Sequence, residues 1–393
     1  MSAEQRYFMQ ILSDHLGGRP TEAPEGELDW EALSRLARIH QVDGIVFWQC
    51  QAYLPPEQKS FLQKGYGAAT FYYLNRIAAV QELDEAFQAA GISYYMVKGL
   101  RVAQWYPIPA LRTMGDCDIV VGSADIPAAM QLMRDLGYVG PEVEAPHEWG
   151  CDRNRMHFEL HDLLVKEGEL SSQRQMDFFR DLMPHAKEGV LDWNYHFLFL
   201  LIHLRKHFIF SGVGIRQFVD LAVLIGRMQE LDWKWLQEQL QVLELLPFAE
   251  SCFSLIEGWF GITAPMAFRR MEASDADAVT RRLLSNGVFG FQDSRNAQER
   301  KSNHLLIGKG PRWFKRLRGV AGALFPGFDV MEGYPGCDFL RHHRWLMPVA
   351  WGKRFVFLLR RGDFDQAKGT LDQNLVPDAA LEERADYLSK MGL

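Results

Sequence analysis

Residues 92–121 read ISYYMVKGLRVAQWYPIPALRTMGDCDIVV, and this stretch decides the fold. The β-branched and aromatic run Ile92-Ser93-Tyr94-Tyr95-Met96-Val97 predicts a strand, which Lys98-Gly99 ends. Leu100 to Tyr106 then reads as a short helix stopped by Pro107 and Pro109. Behind the polar Arg112-Thr113-Met114-Gly115, Asp118-Ile119-Val120-Val121 predicts a second strand. Ala124 to Leu136 has the pattern of an amphipathic helix capped by Ser123 and stopped at Gly137. In Met156 to His161 (MHFELH), apolar Met156, Phe158 and Leu160 alternate with His157, Glu159 and His161, as in a third strand. Strand, helix, strand, helix, strand makes a compact α/β unit.

Outward from this unit the period changes to that of helices. Before Gly91, turn residues punctuate the chain at Gly17-Gly18-Arg19-Pro20, around Pro24 to Gly26, and at Pro55-Pro56. Pro56 to Ala90 reads as one long helix with a break expected near Gly65 or Gly67, and its apolar stripe takes in Phe71, Leu74, Ile77, Val80 and Leu83. From about Ser171 to Arg318 helices return, among them Tyr195 to Phe210, Ile215 to Gln229 and Trp233 to Leu245. Gly212-Val213-Gly214 follows a helix rather than a strand, so it reads as a helix–helix turn and not as a dinucleotide loop. The expected organisation is a helical region over 1–90, an α/β core over 91–165, a helical domain over 166–320 and a helical tail over 321–393. In fold class this is α+β: a small mixed-sheet core embedded in a predominantly α-helical chain.

Composition narrows the function classes. With 393 residues, 48% of them hydrophobic, the chain has material for a sizeable core and is not a disordered one. Its 43 Lys+Arg against 50 Asp+Glu give a net charge of −7, so duplex nucleic acid is not an expected partner. Cys50, Cys117, Cys151, Cys252 and Cys337 form no C-x-x-C pair and suit a reducing compartment. The start MSAEQRYFMQILSDHLGG lacks a basic, then apolar, secretory pattern. The apolar run Tyr195 to Leu204 falls short of the roughly 20 residues of a membrane span. A cytoplasmic protein is expected.

The chemistry concentrates between Val97 and His161. Asp116 and Asp118 share one face of an extended strand, about 6–7 Å apart at the backbone, so both can reach one cation. Hard carboxylate oxygens beside substrate phosphates suit Mg²⁺. Glu159, on another strand, is a third acid, and three carboxylates on adjacent strands are the minimum frame of a two-metal phosphoryl or nucleotidyl transfer site. The bland reading of Glu159 is an edge acid paired with Arg153 or Arg155.

These residues carry a resemblance. Val97-Lys98-Gly99, Tyr106-Pro107, Leu111 to Val121 and Glu159-Leu160-His161 resemble the uncharacterised nucleotidyltransferase family of the DNA polymerase β-like superfamily. His203-Leu204-Arg205-Lys206-His207, Arg216, Asp220, Tyr334-Pro335 and Leu346-Met347-Pro348 also look like that family, the likeness covering roughly residues 35–360. The resemblance implies a polymerase β-like core that moves a nucleoside monophosphate from a triphosphate, ATP being expected, to an acceptor hydroxyl or phosphate with release of pyrophosphate. It implies Asp116, Asp118 and Glu159 as catalytic and metal residues for two Mg²⁺ ions, and Lys98, Gly99 and Arg112 as nucleotide contacts. Lys98-Gly99 stands where the superfamily has Gly-Ser, so the lysine takes over part of the phosphate work. Arg112 either neutralises the phosphates or braces the Asp pair. The acceptor, whether small molecule, sugar, peptide or protein, is not written in these motifs.

Other side chains carry both a sharp and a bland reading. His157 and His161 share a strand face, which allows a transition-metal reading with Cys151 nearby, against structural histidines with His161 bracing Glu159. His203 and His207, an i, i+4 pair on an apolar helix, could hold zinc or touch a nucleotide, against ordinary packing. Arg300, Lys301, Lys309, Arg312, Lys315, Arg316 and Arg318 form a run without acids, and Arg341, Arg344, Lys353, Arg354, Arg360 and Arg361 interleave with Trp345, Trp351 and Phe355. That basic aromatic third is a solvated face, a partner-docking surface or a membrane-surface contact. Two alternatives to catalysis follow: a non-catalytic nucleotide-sensing scaffold, and a peripheral membrane protein.

Overall fold

A seven-stranded mixed sheet in the order β3-β4-β5-β2-β1-β7-β6 holds the site residues. Its strands are β1 (Tyr94–Val97), β2 (Asp116–Val121), β3 (Val139–Ala145), β4 (Glu148–Arg153), β5 (Met156–His161), β6 (Ala186–Lys187) and β7 (Gly189–Leu191). β1 and β2 run antiparallel, and β2 lies parallel to β5 with Asp116 opposite His157 and Asp118 opposite Glu159. The sequence pattern anticipates β1, β2 and β5. It gives no strand at β3 and β4, and the short β6 and β7 come after residue 165, among segments whose neighbours are helical. Two- and three-residue strands carry no periodicity to read, because their pairing with β1 is supplied by tertiary contact.

The computed structural model describes residues 1–145, 147–165, 170–210, 212–287, parts of 311–361, and 377–393. It divides into two compact units, Met1–Gly290 with Lys390–Leu393, and Phe291–Ser389. In the first unit, the helices before the sheet are α1 (Ala3–Leu16), α2 (Trp30–Ile39), α3 (Asp43–Cys50) and α4 (Pro56–Ala89). Within and after it come α5 (Gly99–Ala103), α6 (Ile126–Asp135), α7 (Gln173–Phe179), α8 (Trp193–Phe210), α9 (Ile215–Arg227), α10 (Trp233–Val242), α11 (Leu246–Phe260) and α12 (Ala273–Asn286).

The two faces of the sheet do different work, as the two-residue period of a strand requires. Cys117, Ile119 and Val121 of β2 join Phe158 and Leu160 of β5 in a buried cluster with Leu83 and Phe87 of α4 and Met133 of α6. Asp116, Asp118, Glu159 and His161 occupy the alternate positions on the opposite face. Burial of the apolar set fixes the register, and with it the side on which the acids stand.

Several local expectations change. α4 is unbroken over 34 residues. Gly65 is a packing glycine there: a Cβ at this position would lie 1.6 Å from Asp43 Oδ2, so its absence lets α3 approach. The stripe on α4 also divides, with Val80 and Leu83 buried and Phe71, Leu74 and Ile77 exposed. α6 starts at Ile126, with Pro127 in its first turn and no side-chain cap, in place of the expected Ser123 cap. α8 is buried from His196 to Ile202 and again at Leu204, Phe208 and Ile209, while His203, Arg205, Lys206 and His207 are part-buried. No helix among the described residues is long and apolar enough to cross a membrane.

In the second unit the basic run between 300 and 318 lies outside the described residues except for Arg316, which pairs with Asp378 at 2.8 Å. Tyr334-Pro335 lies outside them as well. On the helix Met347–Arg361 and the turn before it, Lys353 sits over Phe339 and Arg344 over Phe328, while Trp345, Val349 and Phe355 are exposed.

Candidate active site

Lys98 is the first site residue placed by the backbone. It follows β1 in a left-handed conformation (φ 53°, ψ −136°), and Gly99 keeps φ at 36° as α5 begins. A residue with a β-carbon adopts positive φ only at a cost, so this turn is held by its surroundings. The Lys98 backbone N–H donates to Nε2 of buried His196 on α8 at 2.9 Å. Burial pushes the His196 imidazole down to about 3, with Arg101 and Arg112 adding to the effect, so the ring stays neutral and accepts. Turned this way, the Lys98 ammonium reaches Asp118 Oδ1 at 2.8 Å.

Asp118 is 5% exposed and sits at the centre of the constellation. Burial opposes its ionisation, but Lys98 and His161 outweigh burial and hold the carboxyl well below the usual carboxylate range. For Lys98, burial favours the neutral amine, yet Asp118, Asp116 and Glu159 together raise its pKa. His161 Nε2 lies 3.5 Å from Asp118 and 3.4 Å from Glu159, the outer limit of hydrogen bonding. Burial again works against charge, and the two carboxylates override it to lift His161 to about 9. Glu159 also faces His157 at 3.4 Å, whereas Arg153 turns to Glu82 and the Tyr138 ring.

Ligand atoms of Asp118, Glu159 and His161 lie within 4.8 Å of one another. Asp116, two residues before Asp118 on β2, lines the same cavity outside that closest group. Asp118 Oδ2 is buried with no hydrogen-bond partner among the described residues, an orphan that a bound cation would satisfy. The donor set, two carboxylates with a third one pleat away, fits a hard divalent ion. While protonated, His161 is itself a cation bridging the carboxylates.

The cavity measures about 470 Å³ and has two walls of opposite character. Asp116, Asp118, Glu148 and Glu159 come from the sheet; His203, Lys206 and His207 of α8 and Arg216 of α9 come from the helices. His203 and His207 share a hydrogen bond between their Nε2 atoms at 2.9 Å. Burial, then the nearby cations Lys98 and Lys206, lowers His203 well below its ordinary value and His207 to about 4, so both rings are neutral.

Arg112 lines the cavity too, but its guanidinium is engaged. Nε donates to Asp220 Oδ1 at 2.7 Å and Nη2 to Oδ2 at 2.8 Å, and Tyr106 adds a hydrogen bond to Oδ1 at 2.6 Å. Of the motif residues, the structure thus brings together Lys98, Gly99, Asp116, Asp118 and Glu159, and turns the Arg112 charge onto α9. Three supporting residues carry no signal in the sequence: His196, Gln41, and Arg76 of α4, which donates to the carbonyls of Met114 and Gly115 and steadies the entry to β2. His161 had a partial signal, its two-residue spacing from Glu159 on one strand face.

An acid pair on one strand, a third acid on its parallel neighbour, and a strand–Lys-Gly–helix turn beside them make up the candidate site of this α+β fold. A family model described as uncharacterised nucleotidyltransferase matches residues 26–261, and the chain belongs to that family. No curated protein and no solved structure matches it.

Proposed function

We propose that the protein is a Mg²⁺-dependent nucleotidyltransferase that uses ATP and acts on an acceptor hydroxyl or phosphate. The observation that carries this reading is the grouping of Asp118 and Glu159, with Asp116 beside them, on one wall of a cavity whose other wall is cationic and histidine-rich. Bound at the three carboxylates, Mg²⁺ would neutralise phosphate charge and acidify the acceptor hydroxyl.

The chain's own groups do the rest. Gly99 carries no side chain where the turn faces the cavity, so the backbone can approach the triphosphate. Lys98, paired with Asp118, supplies a point charge to the entering phosphates. The acceptor oxygen forms a bond to the α-phosphorus as the bond to the bridging oxygen breaks, and pyrophosphate takes the electron pair. The hydroxyl proton passes to the neutral His203–His207 pair.

Pyrophosphate release from ATP with Mg²⁺, measured across a panel of small-molecule, sugar, peptide and protein acceptors, tests the reading. Asp116→Ala/Asp118→Ala abolishes the release and weakens Mg²⁺-dependent ATP binding. Unchanged affinity in that variant overturns the assignment of the site.

A further inference from the structure

A buried arginine, a half-buried one and a single carboxylate meet where α9 faces the sheet. Asp220 gives both oxygens to Arg112 and one of them also to Tyr106. Arg216, one helical turn before Asp220, makes no ion pair among the described residues, although the Asp220 charge lies within its electrostatic reach. Its Nη1 donates instead to two neutral acceptors, Gln41 Oε1 at 2.6 Å and the Thr113 carbonyl at 2.9 Å, and its Nε is buried with no hydrogen-bond partner. Gln41 stands at φ 55°, the left-handed residue that ends α2, where the Val42 N–H donates to the Ala37 carbonyl. A half-buried guanidinium beside a second one, with its Nε enclosed and unpartnered among the described residues, keeps donor capacity that an anion would complete.

We propose that Arg216 is the anion anchor of the cavity and takes the β- and γ-phosphates of the bound triphosphate, while Arg112 is a positioning residue. The assignment rests on the nucleotidyltransferase reading for the identity of the anion. Arg216 lines the cavity together with the acids, and Asp116 lies within its electrostatic reach. A triphosphate bridging the two walls would meet the carboxylates, through bound cation, at one end and the Arg216 fork at the other. The planar fork suits bidentate phosphate contact in a way a lysine does not.

The test is calorimetric titration of inorganic tripolyphosphate in EDTA, which reads the anion anchor without metal or nucleotide chemistry. Wild type binds; Arg216→Gln, shown folded by circular dichroism, binds at least tenfold more weakly. Arg216→Lys, which keeps the charge and loses the fork, falls between them, and it serves alone if Arg216→Gln does not fold. Equal tripolyphosphate affinity in the folded variants, or no binding by wild type, overturns the proposal. Retained, Arg216-dependent tripolyphosphate binding with no pyrophosphate release from any acceptor would leave the anion anchor standing and remove the transferase reading.

Discussion

Arg112 and Asp220, 108 residues apart in the chain, form a bidentate buried ion pair that ties the loop before β2 to helix α9. The pair joins the two walls of the cavity, and Tyr106 closes it from the end of the segment that follows α5. Removing the carboxylate charge leaves two arginines without an answer. Asp220→Asn is therefore expected to lose about 3–5 kcal/mol of stability, and Tyr106→Phe about 1 kcal/mol, both read from urea unfolding midpoints. A neutral Asp220→Asn would show that the pair does not hold the walls together.

The ammonium of Lys98 is paired with Asp118 Oδ1 at 2.8 Å. A divalent ion binding without nucleotide has to displace it. Lys98→Met should bind Mn²⁺ several-fold more tightly than wild type in the absence of nucleotide, and ATP more weakly in its presence. Electron paramagnetic resonance of free Mn²⁺ measures the first and calorimetry the second. Mn²⁺ affinity that falls in the variant would count Lys98 as a support of the carboxylates and not a competitor.

The proposed reaction passes the acceptor hydroxyl proton to the neutral His203–His207 pair. His203→Asn and His207→Asn should each lower kcat by about 10²–10⁴-fold with KM for ATP little changed, the range general base catalysis supplies. Since His207 is lowered to about 4, its contribution persists through neutral and mildly acidic pH and fades only as the ring charges near that value. A KM defect with normal kcat would make the pair part of the binding wall alone.

His40 links the first helices to the rest of the unit. Its Nδ1 accepts from the Ile215 N–H and its Nε2 donates to the Leu284 carbonyl, both at 3.2 Å, an arrangement that requires the neutral ring. Burial lowers it to about 4, while the unfolded residue titrates near 6.5. The unfolded chain therefore binds the proton first as pH falls, and the stabilisation is complete above about pH 6.5 and lost between there and about pH 4. The loss is on the order of 3 kcal/mol. His40→Gln should flatten the pH dependence of the urea midpoint over that interval; an unchanged slope would place the acid sensitivity elsewhere.

Local pattern carries the elements whose two faces differ. β2 and β5 are legible because apolar and polar residues alternate along them, and α4, α8, α9 and α10 because their period and their Pro and Gly boundaries are clear. β3, β4, β6 and β7 are not legible, since their pairing partners, and not their own composition, make them strands. In the site, Asp116, Asp118 and Glu159 stand out by motif, while His196, Gln41 and Arg76 act through a backbone amide, a guanidinium and two carbonyls that sequence spacing does not reveal.

By itself the sequence determined the acids, the Lys-Gly turn and the face of each strand on which they lie, because side-chain direction in a strand follows from position alone. Only the tertiary structure decided which charge answers which. Arg112 and Arg216 are chemically alike, and packing of α9 against the sheet gives the bidentate Asp220 contact to the first and sets the second against Gln41 and the Thr113 carbonyl. Coulomb energy depends on distance in space, and the core that buries Ile119, Phe158 and Leu83 sets those distances across more than a hundred residues of chain.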